Sequence, residues 1–373
     1  MAAIAEPIPT LPDPRRYAPE GGHPLLELAA VSEPDAERSL VRRVGELLIR
    51  HADDDVRRAL SLAPSRQAYS RLWLALCAAS EGVGHHEESV AATVFAMPLV
   101  IVTGARQAAS VPGALSDVGA LAEVLQRAGA LGECRNFGLG NALCSLEALE
   151  QLPPGTLLDW RFPDPAAQGP RAVPPAPIAV RAGEEVHLRF LLGAAITPAA
   201  APTVTETASH IGAWGMRFAR ALGAQIAVPG AELLAFPRPL MGVIRAAYHG
   251  RRAQLDVALN LFLSNAIKRM RAAAGEPSLV ISVHESGMNG AELRVSMSAA
   301  LDDTLLEGFR WPLHPLDDPN EIAAGIGQFA ADCRLTEIRI IDTVLPEGGS
   351  AGGPLFVRAG DAALRPWRHP AID

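Results

Sequence analysis

A chain of 373 residues, 49% hydrophobic and 20% charged, carries enough apolar surface for more than one core, and its length points to two domains. The formal net charge of -8 argues against general attraction to nucleic acid or to an anionic membrane, while leaving room for local basic patches. The longest apolar run, residues 90–102, falls short of the roughly 20 residues that span a bilayer and contains Pro98, so a buried strand is expected and membrane insertion is not.

Cys77, Cys134, Cys144 and Cys333 are widely spaced and form no Cys-x-x-Cys pair, which reads as reduced, mostly packed thiols in a cytoplasmic protein. The first residues lack the early positive charge and apolar run of a signal peptide. Pro7, Pro9, Pro12 and Pro14 instead mark residues 1–34 as a flexible or docking arm, with Ile4, Ile8, Leu11 and Tyr17 as its apolar anchors. Two packing helices follow, one through Leu40, Val44, Leu47 and Leu48, the other through Tyr69, Leu72, Leu74 and Leu76. Asp53, Asp54, Asp55, Arg57 and Arg58 read as their solvated face.

An order of strand, loop, helix and strand then passes three times. The first runs through an apolar strand at 91–103, a loop with Pro112 and Gly113, a helix at 116–128 and a strand at 133–137. The second has strands at 186–196 and 225–228 around a helix at 205–222. The third has strands at 309–313 and 336–344 around a helix at 320–332. Proline-rich residues 153–181, with Trp160, read as a linker. The expected fold class is therefore α/β, with α+β as its alternative: helices and a first α/β half in 35–152, a second half in 182–346, mixed sheets in both, and a glycine-rich loop and tail in 347–373.

The clearest passage is 251–297. Leu255, Leu259, Phe262, Ala266 and Met270 recur at helical spacing beside a polar stripe of Arg252, Asp256, Asn260, Ser264 and Lys268. Gly275 and Pro277 end that helix, and the period changes to two. Leu279, Ile281 and Val283, then Leu293, Val295 and Met297 beyond Asn289-Gly290, predict a hairpin with one core face and one wet face.

Three stretches carry a family resemblance: Val94-Phe95-Ala96-Met97-Pro98-Leu99-Val100, Phe309-Arg310-Trp311-Pro312-Leu313 and Glu337-Ile338-Arg339-Ile340-Ile341. In their order and texture the chain resembles a family of uncharacterised bacterial proteins known as a domain of unknown function. The resemblance spans both α/β halves and implies no activity, cofactor or site.

Several motifs invite a catalytic reading. Gly348-Gly349-Ser350-Ala351-Gly352 contains a formal Gly-x-Ser-x-Gly, yet Pro354-Leu355-Phe356-Val357 continues as strand where a nucleophile elbow needs a helix. It also resembles the serine box of trypsin-like proteases, with Ala351 inserted and Gly349 in place of the aspartate, which disturbs the oxyanion amides. His284-Glu285 starts a zinc-protease motif, but Met288 takes the second histidine's place on a hairpin. His85-His86-Glu87-Glu88 reads as a hydrated loop. Gly138-Leu139-Gly140 has the order of a phosphate turn without its third glycine. Arg245, His249, Arg251, Arg252, Lys268, Arg269 and Arg271 form the densest basic region, without interleaved aromatics.

The expectation is a non-catalytic interaction or assembly protein, with a protein partner or a second copy meeting the arm or the outer edge of the hairpin. No catalytic residue, cofactor or metal ligand is assigned, and nucleic acid is not expected. The alternative is an enzyme or a small-molecule or nucleotide sensor with its ligand in a cleft between the halves, drawing on Gly138, Gly140, His284, Glu285 or Ser350.

Overall fold

The computed structural model describes residues 23–81, 90–105, 108–134, 136–159, 173–181, 183–198, 201–208, 210–286, 290–299, 306–345, 355–357 and 366–368. The chain is α/β and forms two compact units, one within residues 20–62 and 71–257, the other within 63–70 and 258–373.

The first unit opens with α1 (Pro24–Ala30), where Pro24 follows the His23 cap and Leu25 and Ala29 are buried. The end of the expected arm is thus a packed helix, while Ile4, Ile8, Leu11 and Tyr17 lie outside the described residues. In α2 (Pro34–Ile49), Leu40, Val44 and Leu48 recur every fourth residue and are all buried. Asp53 corrects the expectation of a solvated face. It stands at the start of α3 (Asp53–Ser61), is 6% exposed, and accepts a hydrogen bond from the Gly155 amide at 2.7 Å. Helix α4 (Arg66–Glu81) buries Leu72, Trp73 and Leu76 and leaves Leu74 exposed.

The chain continues through β1 (Val90–Ala105), β2 (Ala109–Val111), α5 (Val118–Arg127), β3 (Asn136–Cys144), α6 (Leu146–Glu150), α7 (Pro154–Asp159), β4 (Ile178–Val180) and β5 (Gly183–Pro198). Then come α8 (Val204–Thr207), α9 (Gly215–Ile226), β6 (Ala231–Pro237), β7 (Met241–Gly242) and α10 (Val243–Ala274). One sheet runs in the order β3-β5-β1-β6, with β7 also on β1, and its pairs are all antiparallel. Residues expected to belong to two separate halves therefore share one sheet. The expected linker supplies α7 and β4, with Leu157 and Val173 in a core. The helix expected at 205–222 is broken at a 3-10 turn around Gly212, and the following strand is β6 rather than 225–228.

Over β1 and β5 both faces of this sheet are covered. Phe95, Met97, Leu99 and Ile101 of β1 share a core with Leu121 and Leu125 of α5 and Phe218, Leu222 and Ile226 of α9. Val94 and Ala96 on the other face share a second with Leu149, Leu157, Val243 and Ala246. Two-sided burial explains why β1 reads as a continuous apolar run and not as an alternation. Pro98 sits inside β1 because its nitrogen faces the break between β6 and β7, where no ladder donor is needed.

Helix α10 begins eight residues before the expected 251; its part up to Val257 belongs to the first unit and the rest to the second. Leu259, Leu263, Ala266, Ile267 and Met270 are buried, whereas Leu255 and Phe262 are only half-buried, so the core face is rotated slightly from the expected one. Gly275 follows with φ +89, the left-handed turn that favours glycine.

The second unit continues through β8 (Pro277–Ser286), β9 (Gly290–Ala299), β10 (Leu306–Pro312), α11 (Pro319–Asp332) and β11 (Ile338–Leu345). Its sheet runs β10-β9-β8-β11, with β11 parallel to β8 and the other pairs antiparallel. The hairpin is as expected, pairing Leu279 with Met297 and Ile281 with Val295, and Leu279, Ile281, Val283, Leu293, Val295 and Met297 are all fully buried. Two expectations fail here. The outer edge of β9 is occupied by β10, with Phe309 opposite Val295, and the face expected to be wet is buried too. A small ribbon of β12 (Leu355–Val357) and β13 (Pro366–Arg368) adds a pair, and β12 lies against β8 and β9.

Gly193 of β5 has no room for a methyl group: a Cβ there would lie 2.3 Å from Cζ of the fully buried Phe95. Gly193→Ala is expected to destabilise the fold by about 1–3 kcal/mol, the usual cost of overpacking, read as a lower denaturation midpoint.

Candidate functional site

The two edges of the β3-β5-β1-β6 sheet differ. Beyond β3, the Leu115 amide donates to Asn141 O at 2.8 Å, Leu143 to Gly113 O at 2.7 Å and Ala176 to Leu143 O at 2.8 Å, so the end of that edge from Asn141 to Leu143 is covered by backbone. No strand among the described residues pairs with the outer edge of β6.

The direction of each β6 residue follows from one bond. The Arg238 amide donates to Pro98 O at 2.9 Å, in register with the β1 pairing that sets Leu99 opposite Pro237. Alternation then turns the amides of Phe236, Leu234 and Glu232 toward β1 and those of Leu233 and Ala235 outward. Pro237 falls on the outward side, where its missing N–H costs the ladder nothing. Leu233 and Ala235 side chains pack against the core under α5 and α9. The opposite face of the strand presents Leu234, 51% exposed, and Phe236, 43% exposed, between an exposed Glu232 and a half-buried Arg238. The Arg238 Nε is buried without a hydrogen-bond partner. An open cleft of about 920 Å3 adjoins the start of the strand, lined by Gly104, Gly183, Pro229, Gly230 and Glu232 among others, and among the described residues no acid, base and nucleophile converge on it.

Polar residues converge instead on the second sheet. Ser278, Ser282 and His284 of β8 and Glu292, Arg294, Ser296 and Ser298 of β9 share the face opposite its apolar core, and all are buried. Ser282 Oγ and His284 Nε2 share a hydrogen bond of 2.8 Å, and His284 stands across from Glu292. The Glu292 carboxylate accepts from Arg294 and, at 3.1 Å, pairs with Arg310. A serine beside a histidine is the first requirement of a nucleophilic site. These two are 1% and 0% exposed on a fully paired hairpin, which gives neither access for a substrate nor free amides for an oxyanion. The ion pair is a packing device: its partners are 5% and 7% exposed, so Arg294→Ala leaves the buried carboxylate with Arg310 alone and is expected to cost about 1.5–3 kcal/mol in chemical denaturation, the range for a hydrogen bond to a charged group.

The remaining motifs do not assemble. Gly138 and Gly140 lie within β3, with Gly138 opposite Ala194 of β5, rather than at a turn into a helix. The side chain of Glu285, residues 85–88 and Ser350 lie outside the described residues. The basic cluster falls on the single helix α10 and is partly neutralised. Arg245 Nε donates to both oxygens of Glu81, at 2.8 and 2.9 Å, with its guanidinium over the Trp73 ring, and burial raises the Glu81 pKa above the usual carboxylate range. Arg269 pairs with Glu307, and Arg271 binds Glu276 and the Cys333 and Arg334 carbonyls.

Sequence reasoning missed β6. The usable signal was Pro229-Gly230 followed by seven residues bounded by Pro237 and Pro239, a turn leading into a short strand with a proline at its margin. No family model, curated protein or solved structure matches the chain.

All four cysteines are free. Burial pushes the Cys144 thiol up to about 12 and raises that of Cys77 further still, so neither forms a thiolate near neutrality. A thiol reagent at pH 8 is expected to leave both unmodified until the protein unfolds, read by peptide mass mapping.

Proposed function

We propose that this is a non-catalytic interaction or assembly protein that engages another polypeptide along the outer edge of β6. The observation that carries the reading is a strand edge that no described strand pairs with, and whose exposed face is apolar. Outward amides and carbonyls at Leu233 and Ala235 offer a ladder to an incoming strand, and Leu234 and Phe236 offer side-chain contact beside it. Edges are ordinarily blunted by charge, and at the centre of this one two large apolar side chains stand in place of a lysine or glutamate. Four free cysteines support a cytoplasmic setting. No helix among the described residues is long and apolar enough to cross a membrane.

Ala235→Pro tests the reading, because the amide it removes points away from β1 and the internal ladder stays intact. Phe236→Lys tests it a second way, by charging the edge. Tagged wild type is expected to capture polypeptides that both variants lose, with thermal midpoints unchanged within a few degrees. Equal capture by all three proteins would refute an edge-strand function.

A further inference from the structure

We infer that the polypeptide received by β6 is a second copy of this chain, paired antiparallel across a two-fold axis at Ala235. The inference rests on the edge-strand reading above and adds the partner and the register. A two-fold axis on an antiparallel edge pairs the strand with itself, so its sequence must be self-complementary about one point. Centred on Ala235, Leu234 faces Phe236 of the second copy, and Glu232 faces the second copy's Arg238. Each contact occurs twice. The apolar residues meet at the middle, and opposite charges close both ends.

Backbone chemistry selects the same arrangement. The Ala235 amide and carbonyl point outward, so the two Ala235 residues can exchange both of their hydrogen bonds, and Leu233 donates to the carbonyl of Pro237, whose nitrogen has no hydrogen to return, leaving the Leu233 carbonyl to solvent. Leu234 and Phe236 then form non-hydrogen-bonded pairs, the positions at which cross-strand side chains come closest. Moving the axis to Leu234 would set each Glu232 carboxylate against a Phe236 ring and leave Arg238 without an acid. The Arg238 Nε is buried without a partner, and the residue as a whole is half-buried, so a carboxylate of the second copy would meet the outer part of its guanidinium. The pairing gives this guanidinium an acceptor. The two sheets would join edge to edge as one.

Cysteine trapping tests the register in a background carrying Cys134→Ser and Cys333→Ser. Leu234→Cys and Phe236→Cys chains, mixed and oxidised, are expected to give disulfide-linked dimers, while either chain alone gives none. Efficient linking of Leu234→Cys to itself would overturn the Ala235-centred register. Light scattering of the wild type over a dilution series is expected to show a dimer that dissociates, and monomer alone at every concentration would overturn self-pairing. That failure differs from a failure of the edge reading: Ala235→Pro would then still abolish capture of a different polypeptide. Charge exchange adds a readout that mere unfolding cannot imitate. Glu232→Arg or Arg238→Glu alone is expected to weaken the dimer about three- to tenfold, as exposed ion pairs do, and the double exchange to restore it. A double variant as weak as the singles would remove the assigned charge pair.

Discussion

The antiparallel ladder between β1 and β5, sixteen residues on each side, is the constraint from which the first unit follows. Its central residues are buried on both faces, so helices must cover each of them: α5 and α9 on one side, α6, α7 and the start of α10 on the other. Close approach of those layers requires small residues where they meet. A Cβ on Gly250 of α10 would come within 3.0 Å of Pro98 and 2.9 Å of Phe190, so this helix crosses the sheet nearly backbone to side chain. Covering the faces does nothing for the edges. One is partly closed by the turn around Gly113 and by Ala176, and the other is left to β6.

Local chemistry in the sequence located most elements and failed at their partners. The apolar run of β1, the fourfold spacing of α2 and the twofold spacing of β8 and β9 each report whether an element's faces are buried, and the structure has those elements in place. Pairing is non-local, and β1 chooses β5 across three intervening strands and three helices that carry no record of the choice. The division of the chain was misplaced for this reason: prolines at 153–181 look like a boundary only if strands pair with their neighbours in sequence.

Burial of polar residues was illegible for a related cause. Ser282, His284, Glu292 and Arg294 alternate with apolar residues as a solvated face would, and nothing local separates a face covered by water from one covered by protein. Asp53 deceived in the same way. Three consecutive aspartates are usually a wet helix start, and here the first one holds the amide of Gly155, far along the chain. As for the candidate edge, a strand was expected at 225–228 in place of β6, and exposure of the edge carrying Glu232, Leu234 and Phe236 depends on which strand ends the sheet.

The partly covered outer edge of β3 has a consequence for how far any assembly through this sheet can grow. Sheets with two open edges add copies without end and tend toward fibres. Here the chain's own backbone at Gly113, Leu115 and Ala176 occupies one end of the β3 edge, so a molecule joined through β6 presents a shortened second edge on the same sheet. If copies join through β6, that loop, on the side of the sheet away from the contact, would oppose further growth beyond a pair.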